Sequence, residues 1–131
     1  MLVALRRAQP GQLVYLEQPE LHLHPRAQHA LGKILVDAAA RGVRVVLETH
    51  SSILLVGIQA AALAHDRLAP QEVILHWFER EADGTAKVTS TSVGDAGALE
   101  GSPIDFDDVE LSAHRAYLDA IERRRTASRR T

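Results

Sequence analysis

Apolar residues along this chain fall into two kinds of run. Leu13-Val14-Tyr15-Leu16 and Val43-Arg44-Val45-Val46-Leu47 are short and nearly continuous, and each stops at a carboxylate, Glu17 and Glu48. Runs of that length suit buried parallel strands covered on both faces. Between them Ala27, Ala30, Leu31, Ile34, Leu35 and Ala38 recur at helical spacing and leave one apolar stripe. Pro25 suits the first turn of that helix, where no amide partner is needed, and Gly42 suits its C-terminal stop. The pattern predicts a strand over 12–17, a helix from Pro25 and a strand over 43–47, joined as a right-handed βαβ unit.

The flanks extend this reading. Leu2 to Ala8 reads as the tail of a helix, closed by Pro10-Gly11. A domain rarely opens on a helix end feeding straight into a central strand, so a further segment is expected upstream. Ser51 or Ser52 can cap a helix from Ile53 to Asp66. That helix is apolar almost all round and needs cover on more than one side. Glu72 to Glu81 reads as a strand, Asp83-Gly84 as a tight turn and Lys87 to Val93 as its hairpin partner. Trp77 and Phe78 are expected in the core. A Gly- and Ser-rich connection, Gly94 to Pro103, leads to a terminal helix with Ala113, Ala116, Tyr117, Ala120 and Ile121 on one face. Its acids at Asp105, Asp107, Asp108 and Glu110 and its basic end at Arg123-Arg124-Arg125 suit the helix dipole. The expected class is α/β, with residues 1–93 as one portion and 94–131 as a small appended helical segment.

Composition narrows the chemistry. With 46% hydrophobic and 24% charged residues, the 131-residue chain can bury a core. Zero cysteines exclude disulfides and thiolate metal sites. A net charge of −2 gives no global pull toward nucleic acid. The apolar start Met1 to Leu5 is too short for a signal peptide or a membrane span, so a soluble cytoplasmic protein is expected.

Candidate chemistry gathers where the two strands end. Ligands in open α/β sheets bind outside the carboxyl ends of the strands. Parallel strands joined by one crossover bring Glu17 and Glu48 to the same edge, with His50 two residues further on. Gln18, Glu20, His22 and His24 follow Glu17. Hard carboxylate oxygens suit Mg²⁺ held through water beside a phosphate. A histidine at the neighbouring strand tip can donate to a terminal phosphate oxygen.

Leu13-Val14-Tyr15-Leu16-Glu17-Gln18-Pro19-Glu20 resembles the Walker B strand of ABC-type ATPases, in the branch of the RecF, SMC and OLD-like AAA proteins. Leu21-His22-Leu23-His24-Pro25 resembles the D-loop that follows it, and Glu48-Thr49-His50-Ser51 the switch-histidine loop. The resemblance runs from about Val3 to Val93, and its Glu-Gln-Pro-Glu and Glu-Thr-His-Ser forms resemble a bacterial subgroup with an appended C-terminal domain of unknown function. It implies a fragment of a P-loop NTPase sheet that uses ATP and Mg²⁺ and works as a dimer. Glu17 would be the catalytic acid holding the Mg²⁺ water shell, where most relatives carry Asp. His50 would contact the γ-phosphate, and His24 would meet the partner subunit across the nucleotide. Gln18 stands where relatives carry a catalytic Glu. A Gln can orient a water but cannot take its proton, which implies slowed hydrolysis; Glu20 and Glu48 are alternative bases.

No G-x-x-x-x-G-K-[ST] occurs in the chain. The amides and Lys of that loop supply most nucleotide binding, so the chain alone is expected to bind ATP poorly. It resembles the C-terminal half of an ATPase, with an N-terminal half or second subunit as partner. Three other readings stand beside it. His22, His24, His50 and a Glu have ligand types that suit Zn²⁺. The apolar helix over 53–66 and the terminal helix suit a non-catalytic interaction module. Arg123, Arg124, Arg125, Arg129 and Arg130 form a basic end, although DNA enters as a partner through the resemblance alone, since useful phosphate affinity needs several charges.

Overall fold

The computed structural model describes residues 1–94. Its elements are α1 (Leu2–Arg7), β1 (Leu13–Glu17), α2 (Pro25–Ala40), β2 (Arg44–Glu48), α3 (Ser52–Leu63), a 3-10 turn (Pro70–Glu72), β3 (Ile74–Arg80) and β4 (Ala86–Ser92). The terminal helix and basic end inferred from the sequence lie outside the described residues.

β1 and β2 pair in parallel, from Leu13 beside Arg44 to Glu17 beside Glu48, with α2 as the connection. Their inward residues Val14, Leu16, Val45 and Leu47 pack on a core of Leu31, Leu35, Val36, Ala38, Leu54 and Ile58 from α2 and α3. The two helices approach until backbone meets backbone. A Cβ on Gly32 would strike the Gly57 carbonyl and lie 2.6 Å from Ile58 N, and one on Gly57 would lie 2.7 Å from His29 O. α2 ends as its Gly predicts. Gly42 takes φ 89°, its N–H donates to Ala39 O, and the Val43 N–H donates to Ala38 O. This is the Schellman arrangement, with the accompanying apolar pair, Val43 and Ala38, both buried. Arg41 then ties α1 to this corner by donating to Leu5 O at 2.7 Å.

β3 and β4 pair antiparallel in a separate sheet. The chain reaches β3 through the 3-10 turn, where the sequence pattern suggests strand from Glu72; there the Glu72 carboxylate accepts from Ala69 N at 2.8 Å. The hairpin turns at Gly84, φ 88°. Asp83 accepts from Thr85 N and Thr85 Oγ1 at 2.9 and 2.6 Å, and these bonds hold its carboxyl below the usual aspartate range. No helix among the described residues is long and apolar enough to cross a membrane.

Three expectations about burial are corrected. The continuous apolar run of β1 implies cover on both faces, but Leu13, Tyr15 and Val46 are 64%, 58% and 50% exposed. The described residues supply one helical layer, and period-two alternation turns every second side chain away from it. α3 is covered on one side: Leu54, Gly57, Ile58 and Ala62 are buried, while Val56 and Leu63 are open. Trp77 and Phe78 cannot share a face as neighbours in a strand, and Phe78 is 70% exposed beside Ile74 and Val88.

Candidate functional site

Glu17 and Glu48 close β1 and β2 as direct register partners, on strands about 4.8 Å apart. Both are exposed and share the uncovered face of the sheet. The Tyr15 hydroxyl, two residues back on that face, donates to Glu48 Oε2 at 3.4 Å. Partial loss of water around the phenol, then the negative charges of Glu48 and Glu17, raise its pKa above the ordinary tyrosine value.

The backbone then leaves the sheet abruptly. Gln18 N donates to Glu48 O at 2.8 Å, adding one rung beyond the strands. Gln18 itself takes φ 41° and His22 φ 65°, left-handed conformations uncommon for residues other than glycine. Leu21 N donates to Gln18 O and Leu23 N to Glu20 O, so the stretch over 18–24 is a chain of tight turns. It delivers His24 to the N-terminus of α2, where His24 Nδ1 accepts from Arg26 N at 3.3 Å and the ring stays exposed.

Glu20 behaves differently from its neighbours. It is 7% exposed. Its Oε1 accepts from Thr49 Oγ1 at 2.6 Å and from the His50 backbone N–H at 3.1 Å. Thr49 Oγ1 accepts in turn from Ser51 N at 3.0 Å. Ser51 Oγ accepts from Leu54 N at 3.0 Å, capping α3, and donates to Gln28 Oε1 at 2.6 Å. Gln28 Nε2 donates to Leu23 O at 2.9 Å, back on the first loop. The loops after β1 and β2 are therefore joined twice, through Glu20 and through Gln28. The His50 side chain is exposed beside this network.

The arrangement sorts the sequence candidates. Glu17, Glu48 and the loop of His50 lie at one end of one sheet. Their hard oxygens fit Mg²⁺ shared with phosphate and water, which needs few protein ligands. No three His, Asp or Glu side chains among the described residues gather closely enough to hold a metal ion by themselves. The His22, His24 and His50 set is thus not assembled, because the His24 ring is taken up in capping α2 and His22 sits exposed on its own bend. Residue patterns missed Gln28 altogether and missed the side-chain roles of Thr49 and Glu20. Of the network, the capping signal at Ser51 was readable.

Residues 1–56 match a family model described as AAA domain, putative AbiEii toxin, Type IV TA system. Every candidate residue named above lies inside that match. A stretch of 49 residues, 37% of the chain, is 37% identical to the Old nuclease of Escherichia phage P2 and covers 8% of that protein's length. No solved structure gives a significant match. These likenesses relate the N-terminal part of the chain to an AAA-type ATPase domain.

Proposed function

We propose that residues 1–93 are the C-terminal portion of an ATP-binding and ATP-hydrolysing AAA domain of the ABC type, one that dimerises around nucleotide. The observation that carries this is the register pairing of Glu17 with Glu48 at the carboxyl ends of two parallel strands, with the His50 loop joined to the loop that follows Glu17. The matches over 1–56 and to the Old nuclease stretch support the class.

In this reading Mg²⁺, when bound with ATP, neutralises charge on the phosphates. Glu17 orients its water shell. His50, exposed at the adjacent loop, donates to the terminal phosphate. Gln18 orients the attacking water without taking its proton. His24, exposed at the α2 N-terminus, faces the partner subunit. The phosphate-cradling loop comes from an N-terminal half or a second subunit. The uncovered face at Leu13, Tyr15 and Val46 suits a sheet on which such a segment packs as a second layer.

The test is complementation. The chain alone should show no saturable Mg²⁺–ATP binding. Combined with an AAA segment that carries G-x-x-x-x-G-K-[ST], it should bind ATP and turn it over slowly. His50→Ala should then lower turnover at least tenfold; unchanged turnover in that variant refutes the role of His50. A second reading, a non-catalytic interaction module, rests on the open apolar residues of the hairpin, Ile74, Phe78 and Val88. It gains if complementation restores association but no ATP binding.

A further inference from the structure

We infer that Glu20 is the positioning residue of the His50 loop and not a general base. The inference rests on the ATPase reading for its catalytic meaning, but its structural part stands alone. A base needs a lone pair within reach of the proton it abstracts. Glu20 Oε1 already accepts two hydrogen bonds from the Thr49–His50 stretch. Its Oε2 is buried and meets no donor among the described residues. Both oxygens are thus turned into the protein, whereas Glu17 and Glu48 are open.

What Glu20 does hold is the backbone of His50. Carboxylate acceptors make the stronger class of hydrogen bond, and the bond strengthens away from water. The anchor joins two segments 30 residues apart in sequence at the point where the imidazole leaves the chain. The second link, Ser51 to Gln28 to Leu23, stops the loop from pivoting about the first. A histidine on a strand-end loop would otherwise sample many orientations, and placing a catalytic donor needs its support held to a fraction of an ångström.

Glu20→Gln separates the two roles. Its side-chain carbonyl accepts as Oε1 does, but an amide takes no proton at neutral pH. The first measurement uses the whole 131-residue chain without nucleotide, following hydrogen exchange of the His50 amide by NMR, with Ile58 and Leu35 as reporters of the intact core. Glu20→Gln, a weaker but still available acceptor, should keep the protection of the His50 amide within about threefold of wild type. Glu20→Ala should lose that protection by at least tenfold while the core reporters stay slow. The inference is overturned if the wild-type amide exchanges as freely as in Glu20→Ala. It is also overturned if Glu20→Gln loses protection as fully as Glu20→Ala does, with the core intact.

The second measurement is turnover in the complemented ATPase. Glu20→Gln should keep it within about threefold, and Glu20→Ala should lose it as His50→Ala does. A Glu20→Gln variant that protects the amide yet abolishes turnover would make Glu20 the base and sink the inference. A wild type that never hydrolyses ATP defeats the proposed function, and leaves the anchoring of His50 to be decided by exchange alone.

Discussion

Glu17 and Glu48 stand beside each other in register at the carboxyl ends of β1 and β2, two like charges with no cation bonded to either among the described residues. Their repulsion is weakened by water, because both side chains are exposed, and is worth less than about 1 kcal/mol. Sheet stability alone gives no reason to keep such a pair. Glu17→Gln should therefore stabilise the chain by a few tenths of a kcal/mol, roughly the size of a screened surface pair, while lowering ATP turnover in the complemented protein. Denaturant unfolding at low and high salt is the check, and salt should shrink the gain. A destabilised Glu17→Gln would show that Glu17 has a structural role instead.

The contact of α2 with α3 makes a sharper stability prediction. Alanine is normally the better helix former by about 1 kcal/mol, so an exposed helical glycine gains from replacement. Gly32 and Gly57 should reverse that sign. Their new methyls would meet backbone, which cannot rotate away as a side chain can. Separating the helices would also open the contacts of Leu31, Leu54 and Ile58. Gly32→Ala and Gly57→Ala should each cost about 1–3 kcal/mol, the usual range for overpacking. Because the two sites share one contact, the double variant should cost less than the sum. Urea midpoints for the three variants decide it, and a neutral Gly32→Ala would mean that the helices cross elsewhere.

Much of this could be read before the structure because it is local. The run Leu13 to Leu16 stopping at Glu17, Pro25 at a helix start and Gly42 at a helix stop each depend on a few adjacent residues, and the elements fall within a few residues of the predicted bounds. The placement of Glu17 and Glu48 at one edge followed from topology, since a single crossover between parallel strands brings both carboxyl ends to the same side. What stayed hidden was long-range or depended on cover. A buried run looks the same whether one layer or two will pack on it, so the exposure of Leu13 and Val46 had no local signature. Glu20 differs from Glu17 in sequence by three positions, yet one is buried and the other open. The difference arises because Gln18 turns the chain at φ 41° and aims the following carboxylate at Thr49. Gln28 reads as an ordinary polar position on α2 until Ser51 is beside it.

Ser51 links capping to the network, so its loss should be felt in two places. Its hydroxyl oxygen accepts from Leu54 N and its proton goes to Gln28. Ser51→Ala removes the cap, at about 1 kcal/mol, and leaves Gln28 Oε1 without its donor, adding up to about 1 kcal/mol in a half-buried setting. Gln28→Ala alone should cost less, since the cap survives. A double-mutant cycle between Ser51 and Gln28 should show a coupling of at least about 0.5 kcal/mol. Strict additivity would mean that the 2.6 Å contact contributes nothing to holding the two loops together.

Tyr15 offers a test of the charge at the strand ends that needs no nucleotide. Its phenol titrates above the ordinary value of about 10 because the ring has lost some water and because Glu48 and Glu17 oppose a third negative charge. Between that ordinary value and the raised one, the folded chain holds the phenolic proton while the unfolded chain has released it. Stability from this group is therefore complete below about pH 10 and falls as pH rises through the raised value. Removing the Glu48 charge should narrow the gap between the two values, leaving the part due to lost water and to Glu17. Glu48→Gln should move the phenolate absorbance midpoint of Tyr15 down toward that of a free tyrosine, and should flatten the alkaline loss of stability. Tyr15→Phe should abolish both effects and leave one tyrosine to titrate, since the chain has two tyrosines. If Glu48→Gln leaves the Tyr15 midpoint where it was, Glu48 does not face Tyr15, and the carboxylate pair is not set as β1 and β2 place it.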